Sequence, residues 1–187
     1  MVLVRNNKSE KKKLKRNLIK AIFSGEDVVS SSKEARDLYG NRLFGEYIDK
    51  KIHYSFSEAL YLLDKGKIEI YKNTKKLNFN DLMENCKKID KKIHVKFIVF
   101  KDLRDRGYLL KTALKFGADF RVYDKGHRPG KEHAKWILYP VSESQEMTWQ
   151  DFSAKNRVAH STKKNLLIAI VDSEGDITYY EITWMRP

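Results

Sequence analysis

Tyr123, His133 and Lys164 are the residues of this chain whose types and spacing could do chemistry. A phenol, an imidazole and an ammonium in a basic protein suggest acid–base work on a phosphate. The phenol, with an unperturbed pKa of about 10, becomes a base only beside cations. Imidazole donates a proton near neutrality. An ammonium can hold the charge that develops on phosphoryl oxygens. Tyr123 and His133 both lie in RVYDKGHRPGKEHAKW, residues 121–136, where Lys125, Arg128 and Lys131 crowd the loop. Each has competitors. Tyr123 is one of ten tyrosines. His127, in mid-loop, is the main rival of His133, ahead of His53, His94 and His160. Lys163 adjoins Lys164 and should point to the opposite side.

The elements that must position these groups can be read from the pattern. FRVY is a strand feeding a loop that Gly126, Pro129 and Gly130 keep from being helical. KWILYPV is the next strand, which places His133 at the loop-to-strand junction. Thr148 caps a helix through WQDFSAKNRVAHS, and NLLIAIVD is a buried strand that Lys164 opens. DSEGD is a hairpin turn and ITYYEITW the last strand. Upstream, KIHVKFIVFKDLRDRGY is a helix, Gly107 interrupts it, and LLKTALKFG continues helically to Gly117.

Residues 1–90 read as a small α+β domain. Ser9 caps a helix carrying Leu14, Leu18, Ile19, Ala21 and Ile22, and Asp27–Val29 is a short strand. Ser32 caps KEARDLYGN, which Gly40 stops. Ser55 or Ser57 caps SEALYLLDKG, KIEIYK is a strand, and LNFNDLMENCKKI is a helix begun near Asn78 or Asn80. Residues 91–187 are then a second domain with a central mixed β-sheet flanked by helices. The fold class is α+β, bordering α/β.

The net charge is +13 over 187 residues. Residues 1–90 hold 20 basic and 13 acidic residues, or +7, and residues 91–187 hold 18 and 12, or +6. The charge is therefore spread over the body and implies a phosphate-rich partner. A single cysteine, Cys86, excludes a disulfide framework and a cysteine zinc cluster. No apolar run approaches the roughly 18 residues of a membrane span. A cytoplasmic protein without membrane association is expected. GKE at Gly130 is not a phosphate-binding P-loop, and HExxH and CxxC do not occur. Asp172, Glu174 and Asp176 lie too tightly in their turn for a calcium loop, so no metal or other cofactor is expected.

Taken in order, SSKEARDLYGNRLFGE, SFSEALYLLDKGKIEI, FKDLRDRGYLLKTALKFGADFRVYDKG, EHAKWILYPV and RVAHSTKKNLLIAIVDSEGDITYYEITWMRP resemble the archaeal tRNA-intron (tRNA-splicing) endonuclease family across the whole chain. The resemblance implies a Tyr–His–Lys triad, which falls on Tyr123, His133 and Lys164. One residue separates the family lysine from the strand, which favours Lys164 over Lys163. It implies metal-independent cleavage of precursor tRNA at a bulge–helix–bulge, a lyase-type reaction leaving a 2′,3′-cyclic phosphate and a 5′-OH. It further implies two arginines that sandwich a flipped base, matched by Arg157 and by Arg186 at the C-terminus. Lys125 and Arg128 become RNA-backbone contacts. The acidic turn Asp172, Glu174, Asp176 resembles a loop that docks on another subunit, and a homotetramer, a dimer of dimers, is expected. ITYYEITW would bury alternate apolar positions against a dimer mate. The alternative is a non-catalytic, RNA-positioning subunit of a heteromeric enzyme.

Overall fold

The computed structural model of the chain describes residues 18–113, 115 and 117–185. These residues form two mixed sheets and five helices. The first sheet begins with β1 (Ile19–Phe23), which buries Ile19, Ala21 and Phe23 on alternate positions. A helix was expected here. Parallel pairing with β5 (Ile68–Lys72) sets a period of two instead, with Ile19 opposite Ile68 and Ala21 opposite Ile70. Ser9 and Leu14 lie outside the described residues.

β2 (Val28–Ser30) follows, then α1 (Lys33–Arg42), whose N-cap Ser32 accepts from Ala35 N. Gly40 does not end this helix. The C-cap is Leu43, in the left-handed region at φ 58, where its N–H donates to Tyr39 O at 2.9 Å. β3 (Glu46–Ile48) and β4 (Lys51–Tyr54) form a hairpin absent from the sequence expectations. Its two-residue loop, Asp49-Lys50, has positive φ at both positions, as a tight hairpin turn demands.

α2 (Phe56–Asp64) starts on Ser55 in a capping box with Glu58. β6 (Lys75–Leu77) and α3 (Phe79–Lys87), capped by Asn78, complete the N-terminal half. The sheet order is β3-β4-β2-β1-β5-β6.

α4 (Ile93–Asp105) then packs α2 and α3 on one side and the second sheet on the other. One apolar core therefore runs through both halves, from Ile19 and Leu60 to Phe100, Phe120 and Leu167. The helix expected over LLKTALKFG is instead β7 (Leu109–Ala113), with Leu109, Leu110 and Lys111 buried. Leu, Lys and Ala favour helix, but pairing with the next strand outweighs that small preference. β8 (Ala118–Tyr123), β9 (Trp136–Ser142), α5 (Trp149–Ser161), β10 (Asn165–Val171) and β11 (Ile177–Ile182) follow. The second sheet has the order β11-β10-β9-β8-β7, with β9 and β10 parallel and its other neighbours antiparallel.

The two faces of this sheet are distinct. Phe120, Val122, Trp136, Leu138, Leu167 and Ala169 join the continuous core on the α4 side. Ile137, Tyr139, Leu166 and Ile168 pack with Ala159 of α5 on the other. No helix among the described residues is long and apolar enough to cross a membrane.

Candidate active site

Strand register brings Tyr123 and Lys164 to the same end of the second sheet, and His133 lies in the loop that leads into β9 at that end. Val122 pairs with Trp136, and Trp136 pairs with Asn165. Lys135 adjoins this row, donating its N–H to Val122 O at 2.9 Å and accepting at its carbonyl from Asn165 N at 3.1 Å. Tyr123 ends β8 next to this row, Lys164 precedes β10 next to it, and His133 approaches β9 through the loop. Two strand spacings separate the Tyr123 and Lys164 backbones, roughly 10 Å, which two long side chains can span. Alternation puts Tyr123 and Arg121 of β8 on the same α5-side face as Leu166, and Lys164 stands two residues before Leu166.

The three groups differ in setting. Tyr123 is 4% exposed and forms a small apolar cluster with Leu109 and Ala134, on which Leu43 packs. His133 is exposed. Lys164 is half-buried, its Nζ donating to Thr162 O at 2.6 Å. Burial and the neighbouring Arg121 guanidinium both lower the Lys164 pKa. Arg121 was not singled out from the sequence. Its signal was there, two residues before Tyr123 on a strand.

The turn that delivers Lys164 explains why Lys163 does not take its place. α5 ends at Thr162, Lys163 enters the left-handed region at φ 55, and its N–H donates to His160 O at 2.9 Å. Lys164 N–H then donates to Ala159 O at 2.9 Å. This pair of bonds is a Schellman termination. It turns the chain sharply, so Lys163 stays exposed while Lys164 is half-buried just before β10.

Beside Lys164 lies a pocket of about 310 Å³ lined by Asn156, His160, Lys163, Asn165, Thr183 and Trp184. The His160 and Trp184 rings are 4.5 Å apart at 43°. Neither residue stood out in the sequence, because their meeting depends on the Leu166–Ile182 register that returns the chain end beside α5.

Arg157 is exposed on α5, and Arg186 lies outside the described residues. Lys125 holds its ammonium 5.2 Å from the Tyr108 ring centroid. Arg128 is exposed; its backbone N–H donates to Glu132 Oε2 at 2.7 Å, and with His127 it lines a pocket of about 250 Å³ against Arg42, Leu43 and Arg104. In the acidic turn, Asp172 Oδ1 accepts from the N–H groups of Glu174 and Asp176, both at 2.9 Å. Glu174 and Asp176 are exposed, and Glu143 joins them by accepting from Ser173 N at 2.8 Å. The alternate apolar positions of β11 face inward: Ile177 and Tyr179 pack on the chain's own core. The Tyr179 hydroxyl donates to Asp102 at 2.7 Å. What β11 offers outward is a strand edge that is unpaired among the described residues and Tyr180, 53% exposed.

Comparison with known proteins returned two family models. The tRNA intron endonuclease N-terminal domain matches residues 19–83, and its catalytic C-terminal domain matches residues 93–179. A tRNA-splicing endonuclease of Pyrococcus horikoshii is 43% identical over 169 residues, 90% of this chain and 97% of that one. The Nanoarchaeum equitans tRNA-splicing endonuclease is 46% identical over 156 residues, 80% of this chain and 97% of its own length. The Methanothermobacter thermautotrophicus enzyme of that name is 36% identical over 165 residues, 87% of this chain and 96% of its own.

Proposed function

The chain belongs to the tRNA intron endonuclease family, and from that premise we propose that it cuts precursor tRNA at intron–exon junctions by metal-independent acid–base catalysis. What supports this reading is that Tyr123 and Lys164 end adjacent rows of one sheet, with His133 next to Ala134, which packs on Tyr123. The phenolic oxygen of Tyr123 takes the proton from the 2′-OH at the cut site. The 2′ oxygen then attacks the adjacent phosphorus, and the bond to the 5′ oxygen breaks as His133 donates a proton to it. The Lys164 ammonium offsets the charge on the non-bridging oxygens. The products are a 2′,3′-cyclic phosphate and a 5′-OH.

The substrate is a bulge–helix–bulge. The aromatic pair His160–Trp184, with the Asn156 and Asn165 amides and exposed Arg157, is suited to stacking on and hydrogen-bonding a splayed base. Lys125 and Arg128 serve the RNA backbone. Two cuts at fixed separation call for two sites, so four copies assemble as a dimer of dimers. The edge of β11 and the exposed Glu174 and Asp176 are its contacts, the latter against a basic surface of another copy. The catalytic domain begins at residue 91.

The test is cleavage of a bulge–helix–bulge RNA by the purified chain in EDTA. The expected result is two cuts with cyclic-phosphate ends, and no cut at a bulge carrying a 2′-deoxy nucleotide. Loss of activity in EDTA contradicts the metal-independent route. Cleavage of the 2′-deoxy bulge contradicts the 2′ attack. Inactivity of the pure chain under all conditions favours the RNA-positioning subunit.

A further inference from the structure

We infer that Leu43, on the N-terminal half, is a positioning residue for the Tyr123 phenol. This inference rests on the reading of Tyr123 as the base. Tyr123 is buried in a cluster of three residues, with Leu109 directly across the strand pair and Ala134 from the loop before β9. The partly buried apolar side chain packed on that cluster is Leu43, at the end of α1. The N-terminal half thus touches the proposed base's own surroundings.

The backbone that carries Leu43 is held by the catalytic half at three points. Arg104 of α4 donates to Arg42 O at 3.3 Å and lies over the Phe44 ring, 4.0 Å from its centroid. Lys111 of β7 donates to Gly45 O at 2.6 Å. The N-terminal half closes the clamp: Gly45 N–H donates to Glu58 Oε1 at 2.9 Å, and that oxygen is 3.5 Å from Lys111 Nζ. Glu58 and Lys111 are 5% and 9% exposed, so this pair spans the two halves away from water. Gly45 has φ +78, and a Cβ there would lie 2.5 Å from Ile52 Cγ2 and 2.9 Å from His53 O. The segment has no room to shift toward β4.

Leu43 itself sits at φ 58, a region that disfavours residues with a Cβ. Glycine would be relaxed there. A leucine stands where glycine is the easier choice, and its side chain packs on the Tyr123 cluster. Lys111 lies opposite Arg121, and Leu109 opposite Tyr123, so clamp and cluster share one face of one strand pair. A small shift of a base relative to its proton costs rate rather than binding, roughly 10- to 100-fold for displacements near 1 Å.

The experiment measures single-turnover cleavage of a bulge–helix–bulge RNA by the full-length assembly, with rate and half-saturation read separately. Leu43→Ala is expected to lower the maximal rate roughly 10- to 100-fold with half-saturation unchanged, and Leu43→Met to restore it. Leu43→Gly is expected to lose rate similarly while keeping or raising the melting temperature, which separates positioning from folding. In a Tyr123→Phe background, Leu43→Ala should cost nothing more, because the group it positions is gone. Multiplied losses in the double variant overturn the inference, and so does an unchanged rate for both Leu43→Ala and Leu43→Gly. Full activity of Tyr123→Phe instead removes the base on which the inference rests.

Discussion

Lys164 shows how a neighbour tunes a single group. Burial first, and the Arg121 guanidinium second, depress its pKa. A lysine with a depressed folded pKa weighs against the folded state wherever it is charged. That penalty is present below its folded pKa and vanishes as pH rises past its ordinary value of 10.5. In catalysis the same shift makes the cation easier to lose on the alkaline side. Arg121→Gln removes one positive neighbour, so Lys164 keeps its proton to higher pH. The alkaline limb of the cleavage-rate profile should move upward in that variant; a downward move would mean that Arg121 does not act on Lys164. The residue types of the proposed triad were legible as phenol, imidazole and ammonium before any fold was known. Arg121 was legible only through strand alternation, and Leu43 was hidden because Gly40 looked like the natural end of its helix.

At the scale of elements, the Schellman turn after α5 decides which lysine is half-buried at the start of β10. Lys163 takes the left-handed position that glycine usually fills, at a cost of about 1 kcal/mol. Lys163→Gly should therefore raise unfolding free energy by about 1 kcal/mol in urea titration. A fall in stability would show that the Lys163 side chain contributes more than its backbone costs. Caps made the helices readable: Ser32, Ser55, Asn78 and Thr148 each begin the helix expected of them. β1 and β7 were not readable as strands. IKAIF and LLKTA fit either period, and only their partners, β5 and β8, decide between the two. Since β7 carries both Lys111 and Leu109, reading it as a helix also concealed the contact between the halves.

At the scale of the molecule, the halves share a core and a buried ion pair. Lys111→Met leaves the Glu58 carboxylate, still hydrogen-bonded to Gly45 N and Ser55, without its ammonium partner and removes the donor to Gly45 O, which should cost about 3–5 kcal/mol. Adding Glu58→Gln should return part of that loss, and thermal or urea unfolding of the single and double variants checks it. Assembly is a separate matter. Asp172 holds its own turn through two N–H bonds, so Glu174→Gln with Asp176→Asn is the cleaner charge removal. That variant should weaken the proposed four-copy assembly, read as a lower mass in sedimentation, and high salt should do the same to the parent. An unchanged mass would place the subunit contacts elsewhere. Net charge pointed to a phosphate-rich partner, but the meeting of chain end and helix beside Lys164 needed the sheet order to be seen.

The central claim is that Tyr123, His133 and Lys164 act as one site. Its most direct test is the single-turnover cleavage rate of Tyr123→Phe, His133→Ala and Lys164→Ala on one precursor RNA under saturating enzyme. Each should fall by roughly 10²- to 10⁴-fold with RNA binding retained. A rate within a few-fold of the parent for any of the three would contradict the account.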